Sequence, residues 1–179
     1  MPSGSTSPRA ESPTARLFVA HWPDAGVRAR LAACRDAWSW PANARPVASG
    51  NLHATLHFIG SFPRERIAAL AARLAAVEVE APTLRPKGME LWRGGIAVLT
   101  LQPEPRLLAL QQRVGEALLA SGIALETRPF TPHVTIARKA TRAIAPSELP
   151  LFSWRPTGFA LVESVGGQAR YEVLESWSA

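Results

Sequence analysis

The chain of 179 residues holds one cysteine, one tyrosine, two aspartates and four histidines. A single thiol, Cys34, excludes a disulfide scaffold and a cysteine-rich zinc module. Two aspartates, Asp24 and Asp36 in one helical stretch, argue against the aspartate-rich two-metal centres of many nucleases. Lysine is scarce as well. Only Lys87 and Lys139 occur, so the net charge of +6 is carried by arginine. An arginine-based field suits phosphate, because the guanidinium fork grips two oxygens at once, although a high-GC genome also yields such a composition. No apolar run approaches the ~20 residues of a membrane span, and residues 17–20 are too few for a signal peptide. The expectation is a cytoplasmic protein with no membrane contact. Against these absences stands a 47% apolar content, enough for one packed domain at this length.

Residues 1–15 have almost nothing to bury and read as a disordered tail, leaving 16–179 as one domain. Residues 16–21 (RLFVAH) form a short buried strand. Val27, Leu31, Cys34 and Trp38 then recur on one helical face, which makes Cys34 a core residue. A loop over 41–50 leaves room for a short strand, and 51–60 (NLHATLHFIG) alternates as a half-buried strand. Residues 61–63 open a second helix with Ile67, Leu70, Leu74 and Val77 on its apolar face. Strands over 83–92 and 96–101 meet across Gly94 and Gly95, a hairpin signal. Pro103 opens a third helix (Leu107, Leu110, Val114, Leu118) that ends at Gly122. Residues 130–138 (FTPHVTIAR) alternate again, 139–157 form a long proline-rich connection, and 159–165 with 169–177 close the chain as a hairpin. Strands and helices in this order predict an α+β fold on antiparallel or mixed sheets.

Laid on itself at an offset of 80, the chain repeats a pattern of strand, proline, helix and His-x-Thr strand. Pro23 precedes His53 by 30 residues, and Pro103 precedes His133 by the same 30. The repeat implies two similar lobes related by an approximate two-fold axis, each presenting one His-x-Thr strand. In a strand, i and i+2 share a face, so His53 projects with Thr55, and His133 with Thr135. Leu52, Ala54, Leu56 and Phe58 are then expected to face inward. Two imidazoles and two hydroxyls converging in one groove suit phosphodiester cleavage: a neutral His takes a proton from water and a protonated one delivers a proton to the leaving oxygen. The Thr hydroxyls can donate to non-bridging phosphate oxygens, and Arg138 adds positive charge near the same strand. His57 falls on the His53 face about 13 Å further along, too far to share a metal ion, and reads as a residue of the groove wall or one that supports the site from behind. His21, at a strand end, reads as structural packing. Lys139, Arg142 and Arg155 in the long connection read as a solvated loop, with an RNA-facing rim as the alternative.

The paired His-x-Thr motifs, with RLFVAHWP, NLHATLHFIG, RPFTPHVTIAR and the closing ALVES and ARYEVLESW segments, resemble the 2H phosphoesterases. Within them the match is to the bacterial and archaeal RNA 2′,3′-cyclic phosphodiesterases, also described as 2′-5′ RNA ligases. The resemblance implies a bilobal α+β fold with a central groove and helices outside, and metal-independent, cofactor-free hydrolysis of a 2′,3′-cyclic phosphate to a 2′-phosphomonoester. By motif, His53 corresponds to the proton donor, His133 to the proton acceptor, Thr55 and Thr135 to the phosphate-holding pair, and Arg138 to the basic residue ending the second motif. The chain departs from the common pattern at His57 and Phe58, and at Ala48, Ser49 and Gly50, where a proline-rich segment is frequent.

The implied partners are RNA ends or small 2′,3′-cyclic nucleotides. Two alternatives stand beside hydrolysis: a 2′-5′ ligase or 2′-5′ phosphodiesterase using the same site, and an RNA-binding module without turnover. A chain with internal two-fold symmetry needs no second copy to complete its groove, so a monomer is expected.

Overall fold

The computed structural model describes residues 13–167 and 170–179. The chain runs β1 (Thr14–His21), α1 (Ala25–Asp36), β2 (Arg45–Pro46), β3 (Ala54–Pro63), α2 (Ile67–Leu74), β4 (Pro86–Trp92), β5 (Ile96–Leu101), α3 (Pro105–Ala120), β6 (His133–Arg138), β7 (Gly158–Val165) and β8 (Arg170–Ser178). Residues 1–12 of the expected tail lie outside the described residues, while Thr14 and Ala15 already belong to β1. β3 outlasts its predicted end and stays paired to β1 as far as Pro63, so the second helix starts at Ile67 instead of 61–63.

The strands form one sheet in the order β4-β5-β6-β3-β1-β7-β8, with β2 against β6, and every described pairing is antiparallel. The mixed-sheet option therefore falls away. β3 and β6 meet at a single residue pair, Ala54 with Val134. These two positions are related by the 80-residue offset, so the pseudo-two-fold axis passes through this seam. It maps β1, α1 and β3 of one lobe onto β5, α3 and β6 of the other. The helix caps obey the same offset. Asp24 accepts the Val27 N–H at 2.8 Å to start α1, and Glu104 accepts the Leu107 N–H at 3.1 Å to start α3.

One face of the sheet carries the main core. Leu31 and Cys34 of α1, Leu70 and Leu74 of α2, and Leu107, Leu110, Val114 and Leu118 of α3 pack there against Leu17, Val19, Leu56, Leu99 and Ile136. The other face has only a small apolar cluster of Phe18, Ala20, Ala160 and Val162, with Trp22 and Tyr171 laid over it. β1 is thus buried on both sides by different residues, Leu17 and Val19 on one, Phe18 and Ala20 on the other. The 139–157 connection is pinned by two isolated bridges, Ser39 with Ile144 and Leu84 with Trp154. Among the described residues no helix is long and apolar enough to cross a membrane.

Candidate active site

The seam dictates the site. Ala54 and Val134 are the central residues of the two His-x-Thr motifs, and they are Cα partners. In an antiparallel pairing, the neighbours of such a pair set His53 across from Thr135 and Thr55 across from His133. Side chains adjacent to Ala54 and Val134 point away from the core, so all four groups open onto the uncovered face. The sequence-predicted quartet is brought together, and His133 is close enough that its charge opposes a charge on His53.

A second device sets the direction of the side chains beyond the motifs. β3 carries an extra residue, Leu56, where the pairing jumps from Ala20–Thr55 to Val19–His57. β6 carries its extra residue at the equivalent place, Ile136, between Val98–Thr135 and Ala97–Ala137. A bulge of this kind shifts the side-chain alternation by one. After it, the core-facing phase passes to His57 and Ala137, and the groove-facing phase to Phe58 and Arg138. This explains how Arg138, at an odd spacing from His133, shares the groove with it. It also corrects two expectations. Phe58 is not inward but 51% exposed at the groove. His57 does not share the His53 face, since its Nε2–H donates to the Gln111 carbonyl of α3 at 2.8 Å, yet it does border the depression on the His133 side, as a groove-wall residue would. That contact needs Gly115, whose added Cβ would lie 3.1 Å from the His57 Nε2. A second bulge between Leu17 and Phe18 restores the phase, and Phe62 returns to the core.

Each catalytic candidate is oriented by a carbonyl two residues before it. His53 Nδ1–H donates to Asn51 at 2.7 Å, and His133 Nδ1–H to Thr131 at 2.7 Å. With Nδ1 committed, Nε2 of each ring is left to exchange protons with a ligand. The Thr55 hydroxyl donates to the His53 Nε2 at 3.0 Å. Three rings enclose His53: Phe18 and Trp22 stack on it with centroids at 4.8 and 5.4 Å, and Tyr171 meets it edge-on at 5.3 Å. Burial here pushes His53 down to about 4, and the nearby His133 and Arg138 add to the effect against the Asn51 hydrogen bond. Among the described residues only Trp92, at 4.5 Å, accompanies His133, which burial and Arg138 also lower. The sequence alone does not single out these rings as site residues. The alternation of β1 offers a signal for Phe18, whereas Trp92 and Tyr171 come from distant strands.

Two adjoining depressions share Thr55, Phe58, Glu126, Thr135 and Arg138 at their junction, the Glu126 carboxylate being paired with Arg128 at 2.9 Å. The one on the His53 side, about 290 Å³, is bordered by Tyr171 and Val47, and the one on the His133 side, about 630 Å³, by Trp92, Phe130 and Arg128. The second is large enough for a nucleoside and offers aromatic faces for it. Among the described residues no cluster of three or more His, Cys, Asp or Glu side chains is placed to hold a metal ion. His21 is fully buried, as its packing role requires, and donates from Nδ1 to the Gly158 carbonyl at 2.7 Å. Lys139, Arg142 and Arg155 border neither depression.

Residues 23–168 match the family model described as the 2′-5′ RNA ligase superfamily. An RNA 2′,3′-cyclic phosphodiesterase of Escherichia coli is 32% identical over 169 residues, spanning 91% of this chain and 96% of that protein. The enzyme of the same description from Thermus thermophilus is 34% identical over 165 residues, 83% of this chain and 81% of that protein. In three dimensions, the apo crystal structure of E. coli LigT superposes with a TM-score of 0.80 at 31% identity, covering 93% of this chain and 98% of that one.

Proposed function

Because the chain belongs to the 2′-5′ RNA ligase superfamily, we propose that it hydrolyses 2′,3′-cyclic phosphates at RNA ends or on nucleotides, leaving a 2′-phosphomonoester. The observation that carries this reading is the seam pair Ala54–Val134, which sets each histidine across from the other motif's threonine. Crystal structures of LigT with 3′-AMP and with phosphate are consistent with such a substrate.

The cyclic phosphate sits at the junction of the two depressions, between the imidazoles. Thr55 and Thr135 donate hydroxyl protons to its two non-bridging oxygens, and Arg138 balances its charge. His133, neutral at physiological pH because burial and Arg138 lower it, takes the proton of a water that attacks phosphorus. His53 delivers a proton to the departing 3′ oxygen. An imidazole held at about 4 in the free groove gains its proton when the anionic phosphate arrives, since an adjacent negative charge favours imidazolium. Once charged in that apolar enclosure it is a strong acid, which suits an alkoxide leaving group. As charge builds on phosphorus, the two hydroxyls and Arg138 strengthen their hold, so they favour the transition state over the ground state. Residues 16–179 act as one working unit, a cytoplasmic monomer that needs neither metal nor cofactor.

The test is turnover of a 2′,3′-cyclic nucleotide in the presence of EDTA, with product identified as the 2′- or 3′-phosphate. His53→Ala and His133→Ala are each expected to abolish it while leaving the thermal melt intact. Activity that vanishes with chelator and returns with zinc would overturn the metal-free route. Joining of 2′,3′-cyclic and 5′-hydroxyl ends without hydrolysis would favour the ligase alternative, and tight RNA binding without either reaction the binding module.

A further inference from the structure

Arg16 is a strongly charged group on the groove face that this chemistry does not use. It alternates with Phe18 along β1, so it stands on the same uncovered face, about 6.6 Å along the strand from the ring that stacks on His53. It borders the His53-side depression together with Arg138 and Tyr171. It also borders the next depression along the sheet, which Thr14, Ser61, Arg64 and Ser164 line. The two hollows therefore adjoin at Arg16, and Gly60, where an added Cβ would touch nothing within 4 Å, leaves room beside it.

Neither Arg16 nor Arg138 has a side-chain hydrogen bond or ion pair among the described residues. The contrast with Arg64 is direct, since that guanidinium is gripped by both carboxylate oxygens of Glu163 at 2.5 and 3.2 Å. Both free guanidiniums act on the same phenol: the fields of Arg138 and Arg16 oppose the upward push of burial on Tyr171. A 2′,3′-cyclic phosphate carries one negative charge and two non-bridging oxygens. Arg138 and the two threonines already answer that charge and those oxygens. The one carboxylate bordering that cavity among the described residues, Glu126, is paired with Arg128, so a second guanidinium without an ion pair there calls for a second anion.

We propose that Arg16 holds the phosphate on the 5′ side of the terminal nucleotide, so that the site takes an RNA end in preference to a lone cyclic nucleotide. The proposal rests on the cyclic phosphodiesterase reading for the terminal phosphate and adds the grip on the one before it. The strand would leave the site over Arg16 toward the Ser61 and Ser164 hollow, with the terminal base on the Trp92 side.

Binding tests this without requiring turnover. By calorimetry, wild-type protein is expected to bind adenosine 2′,5′-bisphosphate about tenfold tighter than adenosine 2′-monophosphate, the increment of one charge-assisted contact. Arg16→Gln should erase most of that ratio, and Arg16→Lys should keep part of it. A dinucleotide bearing a terminal 2′-phosphate should repeat the pattern, with its salt slope falling by about 0.7 in Arg16→Gln, the value for one phosphate contact on a single strand. A ratio that is the same in Arg16→Gln and wild type overturns the proposal, as does a wild type that does not distinguish the two nucleotides. An equal weakening of both ligands overturns it as well, since Arg16 would then serve the terminal phosphate or the fold. Failure of the underlying reading looks different: cyclic nucleotides would not turn over, whatever the binding ratio.

Discussion

His53 is held by aromatic rings, and removing one of them should move its protonation by a calculable amount. Its drop from 6.5 to about 4 corresponds to about 3 kcal/mol disfavouring the imidazolium. Burial is the first cause, and the rings of Phe18, Trp22 and Tyr171 supply much of that enclosure. Phe18 is itself buried in the groove-face cluster, so its loss would disturb packing, whereas Trp22 is half-buried and lies over one face of the imidazole at an interplanar angle of 14°. Trp22→Leu opens that face to water. Recovering about a third to a half of the penalty raises His53 by about one unit, or about 1.4 kcal/mol. A higher value keeps the imidazolium present to higher pH, so the profile of kcat/KM, which reports the free enzyme, should move alkaline. The imidazole Cε1–H titration followed by NMR measures the same change without substrate. A His53 still near 4 in Trp22→Leu would contradict a depression caused by ring enclosure. The charges of His133 and Arg138 would then be its source, and Arg138→Gln would be the variant that relieves it.

Other consequences are equally direct. His21 is fully buried, its Nε2 has no partner among the described residues, and burial lowers it to about 4, below its unfolded 6.5. Its contribution to stability is therefore complete above pH 6.5 and is lost as pH falls toward 4, about 2 kcal/mol between pH 7 and 5. Urea melts across that range should flatten in His21→Gln by this amount, and an unchanged slope would reject the assignment. Gly158→Ala places a Cβ 1.7 Å from the Trp177 carbonyl oxygen in the β7–β8 pair. It should lower the melting temperature by several degrees, corresponding to about 3 kcal/mol or more, with a normal melt as the contrary result. Thr135→Val keeps the shape of a half-buried side chain and removes one donor. It should lower kcat about a hundredfold with little change in KM, and a change confined to KM would mean that Thr135 binds ground state and transition state alike.

The repeat is legible in the sequence because strand and helix periodicities survive where side-chain identity does not. Pro23 and Pro103, the helix stripes and the His-x-Thr strands keep their spacing, and the caps Asp24 and Glu104 fall on the same offset. The bulges at Leu56 and Ile136 are not legible there. Strict alternation in NLHATLHFIG puts Phe58 inward and His57 beside His53. Only the pairing with β1 reveals that the phase slips after Leu56. A bulge is a property of two strands together, and one strand's sequence carries little trace of it. The aromatic enclosure is hidden for a related reason, since Trp92 and Tyr171 reach the histidines through strands from opposite ends of the sheet.

A duplicated motif should yield two equivalent histidines, yet acid–base catalysis needs two different ones. The resolution lies outside the repeat. Both rings donate Nδ1–H to the carbonyl two residues back, so orientation is common to the two lobes. Their surroundings are not. At the offset of 80, Phe18 corresponds to Val98 and Trp22 to Gln102, neither of which can stack on His133. Tyr171 comes from β8, the strand at the end of the sheet that completes only the first lobe. Among the described residues His53 is thereby enclosed by three rings, while His133 meets Trp92 alone. Environments that differ in this way separate the proton affinities of two chemically identical groups, which is the condition for one to donate while the other accepts. The symmetry of the fold turns both imidazoles to one groove, and in the proposed reaction the broken symmetry of the aromatic shell is what makes the two unequal.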